Sequence, residues 1–253
     1  LIVTIFLIIN GENVFSQNDS LNMKLHYHWN DENQSYNDVW GWAHPITGKE
    51  YAIMGSMDYT LFFDVTKLDS CFLVDSIKGA DRAYEHRDYK SYGNYIYGVA
   101  DEGSNSTLQI FDMSTLPDSI TLVYDSKEFI ERCHNIFIED NILYATSVKG
   151  GFYGYDLKML DLTNPEVPTL FKEFTSIDNE NYYSTHDVFV KDDLVFASNG
   201  NEGLFIYDFS DTSNIRVVSS IEAYNEQGYN HNSWLSEDCT TLFFTDENPQ
   251  LGI

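Results

Sequence analysis

Leu204-Phe205-Ile206-Tyr207-Asp208 is an apolar pentapeptide that ends in aspartate, and the chain repeats this pattern. Three further copies precede it: Thr60-Leu61-Phe62-Phe63-Asp64, Leu108-Gln109-Ile110-Phe111-Asp112 and Phe152-Tyr153-Gly154-Tyr155-Asp156. The terminal aspartates follow one another at 48, 44 and 52 residues. A period in this range is typical of proteins built from stacked supersecondary units. The chain of 253 residues is therefore predicted to be a repeat protein.

A second element precedes each copy and keeps the same period. It is a polar residue followed by Asp or Asn and then by a strand-forming pair, and the last instance lies beyond the final pentapeptide. The instances are Asn37-Asp38-Val39-Trp40, Arg87-Asp88-Tyr89-Lys90, His134-Asn135-Ile136-Phe137, His186-Asp187-Val188-Phe189 and His231-Asn232-Ser233-Trp234. Their Asp or Asn residues lie 50, 47, 52 and 45 positions apart. The units are predicted to begin near Tyr36, Arg87, His134, His186 and His231.

Each unit is predicted to contain four short strands. In the fourth unit they span 186–191, 194–198, 204–209 and 215–221, and Asp, Asn and Gly residues fill the connections, as turns require. No stretch has a long helical period, and an aromatic content of 15% favours strands. The predicted fold class is all-β: a β-propeller of four-stranded antiparallel blades. Residues 36–253 hold four full blades and part of a fifth, and we expect six or seven blades in a longer natural protein.

The N-terminal segment predicts export. Residues 1–9 form an apolar run too short to span a bilayer, and Val14 and Ser16 occupy the two positions that a signal peptidase reads. Residues 1–16 are therefore interpreted as a signal peptide without its basic start, and 17–35 as a leader; the alternative is a buried first strand. No transmembrane segment is predicted. Three cysteines without a CxxC pair provide neither a disulfide framework nor a structural zinc site.

The charge balance excludes one class of partner. There are 14 Lys and Arg residues against 40 Asp and Glu, which gives a formal net charge of −26. Such a surface repels phosphate backbones, so no nucleic-acid partner is expected. The expected partner is an extracellular protein, a glycan or a small ligand.

The ordered set of repeat elements resembles the LVIVD repeat and, as a whole, the bacterial family of choice-of-anchor B proteins. The segments that carry the resemblance lie between residues 36 and 247 and include Glu50-Tyr51-Ala52-Ile53-Met54-Gly55-Ser56, Leu108-Gln109-Ile110-Phe111-Asp112 and His231-Asn232-Ser233-Trp234-Leu235-Ser236-Glu237-Asp238. The resemblance implies a secreted domain held at the cell surface by a C-terminal device that varies among members. It implies no settled activity.

The polar starts of the units are the candidate site. If first strands surround the axis, their leading ends converge on one mouth, where imidazoles and carboxylates hold a polar ligand or a metal. The candidate ligand-binding residues are Asp38, Arg87, Asp88, His134, Asn135, His186, Asp187, His231 and Asn232. The candidate metal ligands are His134, His186 and His231, with zinc as the ion. Calcium is the alternative ion, since acidic turns such as Asp101-Glu102 and 199–202 supply oxygen ligands, although such turns are usually just solvated. Glu85 and His86 are placed at the rim. The alternative is structural: short polar side chains satisfy backbone groups between blades.

Two functions from different classes are compatible with this pattern. The favoured one is a non-catalytic surface module that binds its partner at this ring; the other is a metal-dependent hydrolase or lactonase-like enzyme. No GxSxG elbow, HExxH helix or P-loop is present, so no catalytic residue is predicted. Arg87 is expected to form an ion pair with an Asp at the polar start of another unit. The alternative is that Arg87 binds a carboxylate or sulfate of a ligand. Trp40, Trp42 and Trp234 are expected in the core between blades rather than as a carbohydrate platform.

Overall fold

A computed structural model describes residues 24–148, 155–174 and 185–247. In these ranges the strands form four antiparallel sheets of four strands, each in sequence order, and one hairpin. The first sheet contains β1 (Tyr36–Ala43), β2 (Glu50–Ser56), β3 (Tyr59–Asp64) and β4 (Phe72–Lys78), with a short 3₁₀ turn at Leu68–Ser70. The second contains β5 (Arg87–Tyr92), β6 (Tyr95–Ala100), β7 (Leu108–Asp112) and β8 (Thr121–Ser126).

The remaining sheets repeat this order. The third sheet contains β9 (Asn135–Glu139), β10 (Ile142–Val148), β11 (Tyr155–Asp161) and β12 (Thr169–Phe174). The fourth contains β13 (Asp187–Lys191), β14 (Leu194–Ser198), β15 (Leu204–Asp208) and β16 (Arg216–Ile221), and the hairpin is β17 (Tyr229–Leu235) and β18 (Leu242–Glu247). The prediction of an all-β chain of repeated four-stranded units is confirmed. The predicted signal peptide, residues 1–16, lies outside the described residues.

The terminal aspartate of each third strand closes a local turn. The Oδ1 atoms of Asp64, Asp112, Asp161 and Asp208 accept a hydrogen bond from the backbone N two residues later, at 3.0, 2.8, 2.6 and 2.9 Å. The residue that donates is Ser or Thr in every case. The repeated aspartate therefore ends the strand by bonding its own backbone, as Asx turns do.

One copy of the pentapeptide was predicted wrongly. The third strand of the third sheet is β11, which ends at Asp161 rather than at Asp156, and Asp161 pairs with Ile142 as Asp208 pairs with Leu194. The predicted copy resembled the repeat because it is rich in aromatic residues. In the true strand Lys158 interrupts the apolar pattern of the sequence. With Asp161 in place the aspartates follow one another at 48, 49 and 47 residues, which is a more regular period.

Apolar side chains fill the spaces between successive sheets. Between the first and second sheets Phe62 packs with Phe111, whose ring centroid lies 5.4 Å away, in a cluster that also contains Ile53 and Ile96. Similar clusters join the second sheet to the third, and the third to the fourth. The sheets thus bury both faces against their neighbours, which a single four-stranded sheet cannot do alone.

The first strands of successive sheets lie against one another. β1 contacts β5, β5 contacts β9, β9 contacts β13, and β13 contacts β17. Since each first strand is also the edge strand of its sheet, the five sheets share one line of contact. This arrangement brings the polar starts of the units together.

Candidate functional site

A cavity of about 510 Å³ lies where the first strands meet, and residues from all five sheets line it. The side chains at the leading ends of the first strands form three layers here, and all of their members except His186 and Phe189 line the cavity. The histidine layer comprises His134, His186 and His231. The Asp/Asn layer, one residue further along, comprises Asp38, Asp88, Asn135, Asp187 and Asn232. The third layer lies two residues beyond that. It is aromatic in four sheets, and Lys90 holds the position in the second sheet; its members are Trp40, Lys90, Phe137, Phe189 and Trp234.

The three histidines converge as the sequence predicted. The ring centroids of His134 and His186 lie 4.0 Å apart, and those of His186 and His231 lie 4.7 Å apart. One ring nitrogen from each of the three lies within 4.8 Å of the other two. Each ring comes from a different sheet, so the packing of the sheets creates this cluster.

Hydrogen bonds orient two of these rings. The Nδ1 atom of His134 lies 2.6 Å from Asp101 Oδ2, and Nδ1 of His186 lies 3.1 Å from the carbonyl oxygen of His231. A carboxylate and a carbonyl only accept, so in the neutral rings Nδ1 carries the proton and Nε2 keeps a free lone pair. Burial, with a contribution from His134, lowers the pKa of His186 to about 4. Burial also lowers the pKa of His231.

A second polar cluster adjoins the histidine layer through Asp101. His86 Nδ1 lies 3.0 Å from Glu102 Oε1 and 3.8 Å from Asp101 Oδ1. Burial disfavours the charged ring, but the bond to Glu102 and the charge of Asp101 outweigh it and raise the pKa of His86. Sequence analysis placed His86 at the rim but treated Asp101 and Glu102 only as acidic turn residues. Their position just after the second strand of a unit, at the same end as the histidines, was the available signal.

Most of the Asp/Asn layer joins neighbouring sheets. Asp38 Oδ2 accepts a bond of 2.9 Å from the backbone N of Tyr89. Asp88 Oδ2 accepts one of 2.6 Å from the backbone N of Ile136 and another of 3.1 Å from Asn135 Nδ2. For Asp38 and Asp88 the structural role considered from the sequence is therefore correct. Asn232 is engaged inside the hairpin, where its Oδ1 accepts from Thr245 Oγ1 at 2.6 Å.

Lys90 is the cation of this region. Its Nζ lies 2.7 Å from Asp88 Oδ1 and 4.8 Å from the centroid of the Trp40 ring, and the residue is buried. Despite Lys90, burial and the charge of Asp88 raise the pKa of Asp38 to about 6. The same two causes, burial first, raise the pKa of Asp187 well above its ordinary value.

Two acceptors in this layer have no protein partner in the part of the chain that the structure describes. Asn135 Oδ1 is buried without a hydrogen bond. The carboxyl of Asp187 forms no hydrogen bond or ion pair with another residue of the described ranges, whereas the side-chain oxygens of Asp38, Asp88 and Asn232 accept hydrogen bonds. Buried polar groups are usually satisfied, so acceptors left over at a cavity wall are informative.

The prediction for Arg87 is wrong. Its guanidinium donates from Nε to the carbonyl oxygen of Ser56 at 2.8 Å, and from Nη2 to those of Met57 and Asp81 at 3.1 and 3.2 Å. The side chain is buried between the first two sheets and caps backbone carbonyls there. It pairs with no Asp of the layer, and its Nε and Nη2 atoms donate to these carbonyl oxygens instead.

The tryptophans differ from one another. Trp42 is buried between the first two sheets, as expected for a core residue. Trp40 is partly buried at the cavity wall, where its Nε1 donates to Ser91 Oγ at 3.0 Å. Trp234 also lines the cavity but is 51% exposed, so the prediction of a core position is wrong for this residue.

Comparisons with known proteins add little beyond architecture. No protein-family model matches the sequence, and no curated protein matches it. Among solved structures the chain is similar to the computationally designed protein Ika8, at 12% identity and a TM-score of 0.49. The match covers 74% of this chain and 50% of the designed one, so this chain spans half the length of that structure. The described residues include no helix with the length and apolar character needed to cross a membrane.

Proposed function

We propose that this chain belongs to an exported β-propeller of the choice-of-anchor B type that works as a cell-surface binding module. In this proposal the cavity between the first strands is the binding site. The observation that carries it is a pair of acceptors at the cavity wall that no other described residue engages, Oδ1 of Asn135 and the carboxyl of Asp187. A ligand that donates hydrogen bonds would satisfy both.

Four-stranded sheets that share a line of first strands support the propeller part of this proposal. Propellers arrange such sheets radially around an axis and commonly bind ligands at its mouth. Export and attachment to a bacterial surface rest on the apolar N-terminal run and on the resemblance of the repeat.

The charges of the cavity point to the class of ligand. Asp38, Asp88, Asp187 and Glu247 line it. Two cations also line it: Lys90, whose charge Asp88 offsets, and Arg87, which donates to backbone carbonyls. An anionic ligand would be repelled and would leave the acceptors unpaired. We therefore expect a small, hydroxyl-rich ligand that is neutral or carries an ammonium group, because charge-assisted bonds to carboxylates are the stronger ones.

The test compares two sugars of the same ring size and opposite charge. Glucosamine and glucuronate are titrated into the purified full chain by calorimetry, near neutral pH and with EDTA present so that no metal contributes. We expect glucosamine to bind at least about tenfold more tightly, a difference of roughly 1.4 kcal/mol. Equal binding of the two sugars, tighter binding of glucuronate, or no binding of either at millimolar concentration would overturn the proposal.

A pair of matched variants locates the site. Asp187→Asn removes the unengaged carboxylate, and Asp192→Asn makes the same change at the exposed turn after the same strand, where the side chain is 83% exposed. Glucosamine affinity should fall roughly tenfold for Asp187→Asn, because the ammonium group of the sugar favours the ionised carboxyl despite its raised pKa, and asparagine cannot form that charge-assisted bond. It should be unchanged for Asp192→Asn. Equal effects of the two variants would place the sugar elsewhere.

A metal-dependent hydrolase or lactonase-like enzyme is the second candidate. It is favoured by one observation: the histidine layer lies directly beside the unengaged carboxyl of Asp187. Hydrolysis of γ-butyrolactone and p-nitrophenyl acetate, measured with added Zn²⁺ and again with EDTA, tests it. Rates that match the buffer in both conditions exclude this candidate.

A further inference from the structure

The geometry points to a site for a divalent transition-metal ion at His134, His186 and His231, with zinc as the natural probe. The ion would bind one nitrogen from each of three sheets and keep a position open to the cavity. This inference goes beyond the proposed function, since the sugar test is done without metal.

Distances between the rings suit such an ion. Zinc binds imidazole nitrogens at about 2.0–2.1 Å, so nitrogens in a tetrahedral site lie about 3.3 Å apart. The three nitrogens here lie within 4.8 Å of one another. Zinc binding would have to close the remaining gap of roughly 1.5 Å, and rotation of the rings about their side-chain bonds is the motion available to them.

The hydrogen bonds of the rings favour coordination through Nε2. His134 Nδ1 is held by the carboxylate of Asp101 at 2.6 Å, and His186 Nδ1 by the carbonyl of His231 at 3.1 Å. Histidines that bind metals usually donate their other N–H to a carboxylate or a carbonyl, which fixes the tautomer. Both kinds of acceptor are present, so the free lone pairs are already on the nitrogens that a metal would take.

A purely structural role explains the rings less well. A histidine that satisfies a backbone group needs one hydrogen bond, and His186 makes that one bond. Within the described ranges, the second nitrogen of His134 and of His186 bonds to no other residue, and the ring of His231 makes no side-chain hydrogen bond. A role in satisfying backbone groups therefore does not account for one ring nitrogen from each of three units lying within 4.8 Å of the other two.

The ligand atoms select the class of ion. Three neutral nitrogens suit zinc, copper or nickel, whereas calcium and magnesium require oxygen ligands. The calcium alternative considered from the sequence therefore does not apply to the histidine layer. With three protein ligands a fourth tetrahedral position is left for water or for an oxygen or nitrogen atom of a ligand, as in zinc sites that act on ligands.

The first experiment uses the full chain stripped of metal by chelation. Calorimetry with Zn²⁺ should give one equivalent bound with a dissociation constant in the micromolar range or tighter. His231→Ala should weaken binding at least 100-fold, and Asp101→Asn should weaken it 10- to 100-fold because it removes the carboxylate that orients His134. His28→Ala, an exposed histidine outside the layer, is the matched control and should leave binding unchanged.

His86→Ala separates this site from the neighbouring cluster. His86, Asp101 and Glu102 also bring possible ligands within 4.8 Å of one another. If the ion sits at the histidine layer, His86→Ala changes zinc affinity by less than threefold. Zinc binding that is lost in His86→Ala but kept in His231→Ala would overturn the proposal, and so would the absence of stoichiometric zinc.

A measurement on the unaltered protein guards against variants that fail to fold. The Co²⁺-loaded chain should show the intense visible absorption of tetrahedral cobalt, and X-ray absorption of the zinc form should show imidazole scattering from three rings. An octahedral, oxygen-only spectrum would refute the assignment even if every variant misfolded.

Discussion

The histidine layer and the Asp/Asn layer occupy adjacent positions of the same repeat, yet their side chains have different roles. The carboxylates of Asp38 and Asp88 each accept a hydrogen bond from a backbone N–H of the next first strand. The histidines bond the protein through one nitrogen or none and face one another instead. Duplication supplied both positions to every unit, so inheritance alone does not explain the difference. A side chain with a backbone N–H within reach joins the sheets, and one without such a partner faces the cavity.

The same contrast runs around the cavity. In the first two sheets the position of the histidine is held by Asn37 and Arg87, and both act between sheets: Asn37 Oδ1 accepts from the backbone N of Arg87 at 3.1 Å. In the third sheet, the fourth sheet and the hairpin it is held by histidine. On one side of the cavity the side chains of Asn37 and Arg87 thus join neighbouring sheets. On the other side the histidines form the candidate metal site.

The largest expected effect is on the structural side. Asp88→Ala leaves the ammonium of Lys90 and the backbone N of Ile136 without their acceptor in a buried setting. Removing one partner of a buried ion pair costs about 3–5 kcal/mol, so we expect a loss of that size in the free energy of unfolding, measured by urea denaturation. Asp118→Ala, at an exposed turn, should change it by less than about 0.5 kcal/mol. A loss below about 1 kcal/mol for Asp88→Ala would contradict a joining role.

Asp38→Asn should have an intermediate effect of the opposite sign. Asparagine still accepts the bond from Tyr89 N and tolerates the positive φ of 54° at this position. It removes a charge whose burial, beside Asp88, raises the pKa from 3.8 to about 6. We expect stabilisation of about 1 kcal/mol near neutral pH, less than the roughly 3 kcal/mol of a full two-unit shift, because solvent and the lost attraction to Lys90 reduce it.

The pH dependence of the unfolding free energy tests whether burial of the Asp38 charge causes the stabilisation in Asp38→Asn. Between pH 3.8 and about 6 the folded chain keeps a proton on Asp38 that the unfolded chain has released. The contribution of this group to stability therefore falls as the pH rises through that window. Unfolding measured at several pH values should show a gain for Asp38→Asn that is absent near pH 4 and complete above pH 6. A gain that is the same at every pH would mean that burial of the charge is not its cause.

The smallest effect is expected in the histidine layer. In EDTA, His231→Ala should change the free energy of unfolding by less than about 1 kcal/mol, since its ring makes no side-chain hydrogen bond within the described residues. With saturating Zn²⁺ the unaltered protein should gain stability and the variant should not, because a bound ligand stabilises only the state that binds it. A loss above about 2 kcal/mol in EDTA would show that the layer is structural as well.

The sequence predicted the repeated units because both the pentapeptide and the polar start are local patterns. The same reasoning failed at Asp156, where an aromatic run resembled the repeat better than the true strand ending at Asp161 did. Lys158 interrupts the apolar pattern of that strand. Its Nζ donates to the carbonyl oxygen of Phe129, between β8 and β9, and no local sequence pattern contains such a tertiary contact.

Convergence of the histidines was predictable from their equal positions in the repeat. The contribution of Asp101 was missed, because its position just after a second strand, at the same end as the histidines, was the one signal that marked it. The partners of Arg87 were hidden for another reason: they are carbonyl oxygens, which every residue carries, so the sequence does not mark them.

The side-chain joints between first strands also bear on association with other chains. A first strand is the edge of its sheet, and an edge strand with open N–H groups is a template on which a foreign strand can pair. At Arg87, Tyr89 and Ile136 those N–H groups are already taken by Asn37, Asp38 and Asp88. The side chains of Asn37, Asp38 and Asp88 thus protect the inner edges of β5 and β9 against aggregation while leaving the line between the sheets open to solutes too small to pair as strands.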